Sequence, residues 1–398
     1  MSVLSKRVQQ MSPSITLAVT AKAKQLKADG VDVIGFGAGE PDFDTPQFIK
    51  DAAAEALAAG MTKYTPAPAT PDLRRAIATK FERDNGLTFD PMTQVSVGAG
   101  GKHVLYNAMQ AVVDPGDEVV MLAPFWVSYP EQAKLAGGVP VIVKGDEDED
   151  FKVTPEQLAG HLTGKTKVVI LNSPSNPAGH GYTADEQAAL GKVIAEKTDA
   201  LVFSDEIYEK LLYDGFEHVS FARACPEMAG RTVTFNCHSK TFSMTGWRLG
   251  YCGGPAEVVK AMNGLVSQMT SHVTSFTQPA AALALTDDRA GPAVAEMLES
   301  FKGRRELMHT MLSEIPGVTC PKPVGAFYCF PNVSGTFTKA GVDDAVAWSA
   351  NLLEQAHVAV VPGNDSGFDT HVRLSFATSE ENIRNGIQRI SDWLSGPH

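Results

Sequence analysis

The sequence has few cysteines and no excess of positive charge, and both shortages exclude classes of protein. Five cysteines are scattered over 398 residues, with no CxxC pair and no grouping with histidine that would suggest a metal site. Such an odd, scattered set suggests reduced thiols, so we expect a cytoplasmic protein. Acidic residues outnumber Lys and Arg by 46 to 34, which gives a formal net charge of −12 and argues against a nucleic-acid partner.

Long apolar stretches and low-complexity tracts are also missing. No run of about 18 apolar residues occurs, so we expect no membrane-spanning helix and no membrane partner. Lys6 and Arg7 are not followed by an apolar stretch, so we expect no signal peptide. The short acidic turn GDEDED at 145–150 is predicted to be a solvated loop.

Short apolar runs rich in Val and Ile alternate with segments of helical periodicity through the middle of the chain. Several runs are apolar on both faces, as expected of strands covered by helices on each side. The alternation predicts an α/β fold with a mostly parallel, seven-stranded sheet flanked by helices. The predicted strands are 94–98, 118–123, 139–144, 167–172, 200–204, 232–236 and 249–253.

The two ends of the chain differ from the middle. A polar helix and a glycine-rich turn come first, and a long charged helix after about Gly291 leads into a smaller α+β unit. We therefore predict an N-terminal arm that forms part of a small domain (1–45), a large ligand-binding domain (46–290) and a small C-terminal domain (291–398).

Five polar loops follow predicted strands at the point where each strand ends. Open α/β sheets bind ligands in the crevice beyond the carboxyl ends of their strands, so we expect these loops to form one site. They are AGGKH (99–103), PFWVSY (124–129), SPSNPAG (173–179), DEIYE (205–209) and CHSKTFSMTGWR (237–248).

The first and last of these loops contain candidates for an anion site. Gly100, Gly101 and Lys102 open a helix, where free N–H groups and the positive end of the helix dipole favour an anion such as phosphate. The spacing does not match a nucleotide P-loop, and a tight strand-to-helix turn is the alternative. Together with Arg248, the loop suggests a phosphate monoester.

Other loops contain candidates for holding an aromatic ring. A buried carboxylate at Asp205 needs a cationic partner, which a protonated pyridine nitrogen would provide. Tyr208 and Asn176 could donate to a phenolate oxygen on the same ring, and Trp126 offers a face for stacking. For Asp205 the alternative is a helix N-cap, and for Trp126 it is core packing.

Lys240 is the candidate nucleophile. A lysine amine attacks a carbonyl only when it is unprotonated, and burial or a neighbouring cation favours that form. A single lysine is usually a solvated surface charge. Lys240 becomes a candidate because its loop is expected to lie in the same crevice as the candidates for binding the phosphate and the aromatic ring.

These residues resemble the class I aminotransferases of pyridoxal-phosphate fold type I, and the match runs almost end to end. The sequence is most similar to bacterial aspartate aminotransferases of the aspartate/prephenate subgroup. The motifs are PSITLAV (13–19), AGEPDFDTP (38–46), KYTPAPATPDLR (63–74), FWVSYPE (125–131), NSPSNP (172–177), SDEIYE (204–209), SKTFSMTGWRLGY (239–251), GAFY (325–328) and VRLSFATSEENI (372–383).

The resemblance implies catalytic roles for three residues around pyridoxal 5'-phosphate. Lys240 would form a Schiff base with the cofactor and move the proton at the substrate Cα. Asp205 would keep the pyridine nitrogen protonated, and Tyr208, with Asn176, would bind the ring oxygen. Trp126 would stack on the ring, and both Trp126 and Asn176 would also border the substrate.

The resemblance also implies contacts to the phosphate and a partner subunit. Gly100, Gly101 and the Lys102 backbone would bind the phosphate together with Arg248. Tyr64 resembles the tyrosine that reaches the phosphate of the neighbouring subunit, which implies a homodimer with shared active sites.

For the substrate, the resemblance implies two cations at opposite ends of the pocket. Arg373 would grip the α-carboxylate, aided by the backbone near Gly39. The Lys102 side chain would meet the second carboxylate of aspartate or glutamate, unless it points to solvent. The expected reaction is ping-pong amino transfer from L-aspartate to 2-oxoglutarate.

Alternative functions remain open at this point. The same fold could serve aromatic, alanine-like or prephenate substrates, although Ser12 replaces a residue that is basic in some prephenate-accepting members. A nucleotide-binding or regulatory α/β protein is a more distant alternative. Cys237 stands where the family usually has Ser or Gly, so a hydroxyl contact to the phosphate is expected to be missing.

Overall fold

A computed structural model describes residues 3–12 and 15–396. The start of the PSITLAV motif and the outermost residues of the predicted arm and small domain therefore lie outside the described residues. The described helices are α1 Lys6–Gln9, α2 Ile15–Ala28, α3 Gln47–Ala58, α4 Pro71–Lys80, α5 Gly101–Val112, α6 Ser128–Ala136, α7 Pro155–Ala159, α8 Ala184–Lys197, α9 Phe221–Ala224, α10 His238–Thr241, α11 Ala256–Met269, α12 Thr277–Thr286, α13 Ala290–Ser313, α14 Phe337–Ala340, α15 Ala345–Gln355 and α16 Glu380–Ser395. None of the helices in this part of the chain is both long enough and apolar enough to cross a membrane.

Seven strands form one sheet, in the order β2-β8-β7-β6-β5-β3-β4. Only β8 runs antiparallel to its neighbours in this sheet, and the remaining pairs are parallel. The predicted α/β class and seven-stranded sheet are confirmed, and each observed strand begins and ends within one residue of its predicted bounds. The strands are β2 Val95–Gly98, β3 Glu118–Ala123, β4 Val139–Lys144, β5 Thr166–Asn172, β6 Leu201–Asp205, β7 Thr232–Cys237 and β8 Gly250–Gly253.

The inner strands of the sheet are buried on both faces, which explains their apolar runs, while the edge strand β4 is partly exposed. Alternate side chains of a strand point to opposite faces. In β5, Val168 and Ile170 join one hydrophobic core, while Val169 and Leu171 join the core on the other face. Helices therefore cover both sides, and the polar residues concentrate at the strand ends.

The remaining strands belong to two small sheets. β1 (Ile34–Gly35) pairs in parallel with β10 (Val358–Ala359), and β12 (Val372–Ser375) lies between β11 (Val361–Pro362) and β9 (Tyr328–Cys329). Residues from both chain ends share one core, in which Ile34 and Phe36 pack with Phe301, Trp348 and Trp393. The domain boundaries at 45 and 290 stay a prediction.

The acidic turn differs from its predicted form as a solvated loop. Asp148 and Glu149 are exposed, but the carboxylate of Glu147 accepts hydrogen bonds from Thr319 and Asn332 in the C-terminal part of the chain, each 2.8 Å long. The prediction is wrong for Glu147, because the sequence did not show that this turn would face polar groups 170 or more residues further along.

Candidate active site

Two adjoining cavities of about 530 and 440 Å³ lie beyond the C-terminal ends of the parallel strands. Their shared walls include Gly39, Trp126, Asp205 and Lys240. The predicted site residues that line one or both cavities are Gly39, Gly101, Lys102, Trp126, Asn176, Asp205, Tyr208, Lys240, Arg248 and Arg373. The fold therefore brings the five predicted loops to one place.

Asp205 ends β6 as a buried carboxylate. It accepts hydrogen bonds from the Tyr129 hydroxyl (2.6 Å) and from the backbone N–H of Ile207 (3.3 Å). Burial raises the pKa of Asp205 to about 6, although the Tyr129 hydrogen bond acts in the opposite direction. No helix begins at this position, so the N-cap alternative does not hold. The carboxylate is held by neutral donors and is chemically suited to a cationic ligand atom.

The glycine loop before α5 forms a cradle with Arg248. Gly100 has a left-handed φ of 89°, and a Cβ at this position would lie 2.5 Å from the Arg248 guanidinium. That guanidinium donates to the carbonyls of Thr245 (2.8 Å) and Ala99 (3.3 Å). No side chain caps the start of α5, so its first N–H groups are available to an anion.

Lys102 extends along the wall of the second cavity. Its ammonium lies 4.9 Å from the centre of the Trp126 ring, within the range of a cation–π contact. Burial, together with the charges of Arg248 and Lys240, lowers the pKa of Lys102. Trp126 itself is only half-buried and lines both cavities, so core packing does not describe its position fully.

Lys240 and Arg373 face the first cavity from different parts of the chain. The Lys240 ammonium, on α10, donates a hydrogen bond to the carbonyl of Gly39. Arg373, on β12, donates to Asn176 Oδ1 (3.0 Å) and to the carbonyl of Gly37 (2.9 Å). Its guanidinium lies 4.6 Å from the centre of the Tyr328 ring, and its buried Nε has no hydrogen-bond partner among residues 3–12 and 15–396.

Four of the predicted site residues that line the two cavities are cationic: Lys102, Lys240, Arg248 and Arg373. Lys24 and Lys27 of α2 also line the first cavity. Within residues 3–12 and 15–396, none of the four predicted site residues is in an ion pair with an acidic side chain. Two carboxylates, Glu40 and Asp205, also line the cavities, so the lining is still net positive in a chain with a net charge of −12. The cavities are therefore suited to bound molecules that together carry several negative charges.

Sequence reasoning gave no role to three residues that shape the site. Tyr129 hydrogen-bonds Asp205, and the Tyr328 hydroxyl lies 3.0 Å from that of Tyr208. Asn172 donates from its amide to the backbone carbonyl of Asp205 (2.9 Å). Each belongs to a motif quoted above, so the available signal was its place in that motif. Burial and the contact with Tyr328 raise the pKa of Tyr208.

Tyr64 lies apart from the other predicted site residues. It is 90% exposed, lines neither cavity, and meets His272 edge-on with ring centres 5.6 Å apart. Within its own chain it contacts none of the proposed ligand groups.

Comparison with known proteins finds relatives along almost the whole chain. The family model described as aminotransferase class I and II matches residues 31–390. An aspartate aminotransferase of Geobacillus stearothermophilus is 51% identical over 98% of both chains, and an aspartate/prephenate aminotransferase of Cereibacter sphaeroides is 47% identical over the full length of both. The solved structure of aspartate aminotransferase from Thermus thermophilus with maleate is 45% identical, with a TM-score of 0.93 over 99% of this chain and 100% of that one.

Proposed function

The chain belongs to the class I and II aminotransferase family, and we propose that it transfers the amino group of L-aspartate to 2-oxoglutarate, giving oxaloacetate and L-glutamate. The observation that carries this proposal is that four predicted site residues around the two cavities are cationic and form no ion pair within the described residues. A phosphate and the two carboxylates of a dicarboxylic substrate account for the positive charge. The names of the relatives at 47–51% identity support the same substrate class.

The residues present fit pyridoxal 5'-phosphate as the cofactor. Asp205 is a buried carboxylate that forms no ion pair within the described residues, which suits a protonated ring nitrogen. Arg248 and the uncapped start of α5 offer the donors that a phosphate requires. Asn176 and Tyr208 would bind the ring oxygen, and Trp126 would cover one face of the ring.

The proposed chemistry divides between the cofactor and the chain. When bound, pyridoxal phosphate would supply an aldehyde that condenses with amines and a ring that delocalises the electron pair released at the substrate Cα. Lys240 would take the proton from the substrate Cα and return it to C4′ of the cofactor. Asp205 would keep a proton on the ring nitrogen, and Tyr129 would hold the carboxylate in place.

Substrate choice would depend on Arg373 and Lys102. The Arg373 fork is held by Asn176 and the Gly37 carbonyl and would bind the α-carboxylate that every amino acid carries. Lys102 would meet only a second carboxylate. A hydrogen bond to a charged group contributes about 1.5–3 kcal/mol, which corresponds to roughly ten- to a hundredfold preference for dicarboxylic substrates.

We also infer a homodimer with shared active sites in the cytoplasm. Tyr64 supports the dimer, because an exposed tyrosine without a role in its own chain suits the site of a second copy. All five cysteines carry free thiols, which suits a reducing compartment.

A single half-reaction tests the function. The absorption spectrum of the purified protein, reconstituted with pyridoxal phosphate, is recorded before and after L-aspartate is added alone. We expect the aldehyde form of the cofactor to convert to the amine form, with oxaloacetate in solution, and Lys240→Ala to lose this conversion while keeping its fold by circular dichroism. Protein that cannot be reconstituted would point to the nucleotide-binding alternative.

Prephenate is a second candidate substrate, because several relatives are named aspartate/prephenate aminotransferases. Ser12 argues against it, since its backbone N–H binds Glu131 (3.1 Å) and its side chain brings no cation. The reverse half-reaction, with the amine form of the enzyme and prephenate, would show whether this substrate is accepted.

A further inference from the structure

The acidic turn at 145–150 makes a contact that the proposed mechanism does not use. Glu147 Oε1 accepts a hydrogen bond from Thr319 (2.8 Å), and Oε2 accepts one from the Asn332 amide (2.8 Å). The same Oε2 lies 3.3 Å from Nε2 of His371. One carboxylate thus contacts three polar side chains from three separate segments of the C-terminal part.

The three partners of Glu147 are neighbours on adjacent backbone segments. Thr319 forms an antiparallel bridge with Asn332, which bridges in turn to His371. On the other side of the contact, the turn is fixed to the large sheet by a hydrogen bond from the N–H of Gly145 to the carbonyl of Ala123 at the end of β3 (3.1 Å). Glu147 therefore connects the edge of the large sheet to a small antiparallel ladder, which consists of Thr319, Asn332 and His371.

That ladder continues into the strand that carries Arg373. His371 directly precedes β12, and residues two apart in an extended segment point to the same face. His371 is 2% exposed and stacks on Phe330 with ring centres 4.9 Å apart. Burial lowers the pKa of His371 to about 4, against the opposing effect of Glu147, so its ring is neutral at pH 7 and packs as an aromatic group.

We propose that Glu147 is a positioning residue for substrate binding, which holds the His371 segment against the large sheet and thereby fixes where Arg373 enters the cavity. The inference rests on the proposed role of Arg373 at the α-carboxylate. It predicts an effect on substrate affinity, because Arg373 binds substrate in the ground state as well as in the transition state.

The turn itself provides a matched control. Glu149 is exposed and makes no side-chain hydrogen bond or ion pair in the described part of the chain, so Glu149→Gln removes the same charge and leaves the Glu147 contacts in place. Glu147→Gln keeps the size of the side chain but replaces one acceptor oxygen with an amide donor. Facing Asn332, that donor would meet another donor; facing Thr319, it would require the hydroxyl to accept instead of donate. Thr319→Val removes one hydrogen bond from the opposite side and serves as a second test.

The experiment measures kcat and KM for L-aspartate and 2-oxoglutarate in the reconstituted enzyme. We expect Glu147→Gln to raise both KM values about three- to tenfold, which is the size of effect that the loss of one hydrogen bond produces. Its kcat should stay within about twofold of the wild-type value. Thr319→Val should shift KM in the same direction by less, and Glu149→Gln should match the wild type.

A double-mutant cycle separates positioning from general stabilisation. If Glu147 acts through Arg373, Glu147→Gln should have little further effect on KM in an Arg373→Lys background. An equal effect in both backgrounds, or KM values for Glu147→Gln equal to those of Glu149→Gln, would overturn the inference while leaving the function intact. A wild-type enzyme that turns over neither substrate would overturn the proposed function and this inference together.

Discussion

The buried carboxylate of Asp205 should make the enzyme without cofactor less stable than its Asp205→Asn variant. The pKa of Asp205 rises from 3.8 to about 6 in the folded chain, so the folded state favours the protonated form. Ionisation therefore costs stability. This cost is absent below about pH 4, grows between pH 4 and 6, and is constant above about pH 7.

The structure gives the size of this effect. A shift of about 2 pKa units corresponds to roughly 3 kcal/mol at neutral pH. With an unfolding entropy of about 2 cal/mol/K per residue, this is roughly 3–4 °C in Tm for a chain of this length. Asparagine keeps an acceptor for the Tyr129 hydroxyl, so the variant removes the charge and leaves that hydrogen bond in place.

Thermal unfolding of the two apoenzymes between pH 5 and 8 measures the effect. The Tm advantage of Asp205→Asn should grow with pH by about half of the total over this range, because the rest accrues below pH 5. Pyridoxal phosphate should remove the advantage, since a cationic ring nitrogen would stabilise the carboxylate. A Tm difference that does not change with pH, or that survives cofactor binding, would refute the reasoning.

Two further substitutions test the ends of the cavities. Lys102→Ala should raise KM for L-aspartate by about tenfold and change KM for an aromatic donor much less; equal changes would place its side chain outside the substrate pocket. Gly100→Ala should weaken pyridoxal phosphate binding to the apoenzyme, measured as Kd by titration, because its Cβ would lie 2.5 Å from the Arg248 guanidinium. Gly164→Ala, where a Cβ meets nothing within 4 Å, is the control and should bind the cofactor like the wild type.

The large sheet could be predicted from the sequence because its signals are local. The runs in β3, β5 and β6 are apolar on both faces, and only a strand covered by helices on each side satisfies that pattern. The polar loops after these strands could likewise be assigned to one edge, since parallel strands present their carboxyl ends together. The prediction of a site near Asp205 and Lys240 follows from these two rules and from the family motifs.

The partners of the site residues could not be predicted in this way. Tyr129 is 76 positions from Asp205, and Arg373 is 197 positions from Asn176. No local pattern encodes which side chains meet over such separations, because the packing of the whole chain decides it.

The sequence by itself thus determined the fold class, the strands and the chemical groups of the site. Only the tertiary structure decided that the half-buried Glu147 carboxylate contacts Thr319, Asn332 and His371. It also decided that Arg373 is buried without an acidic partner within the described residues. The physical reason is the same in both cases. The environment of a charge depends on groups distant in sequence, and the free energy of that charge depends on its environment.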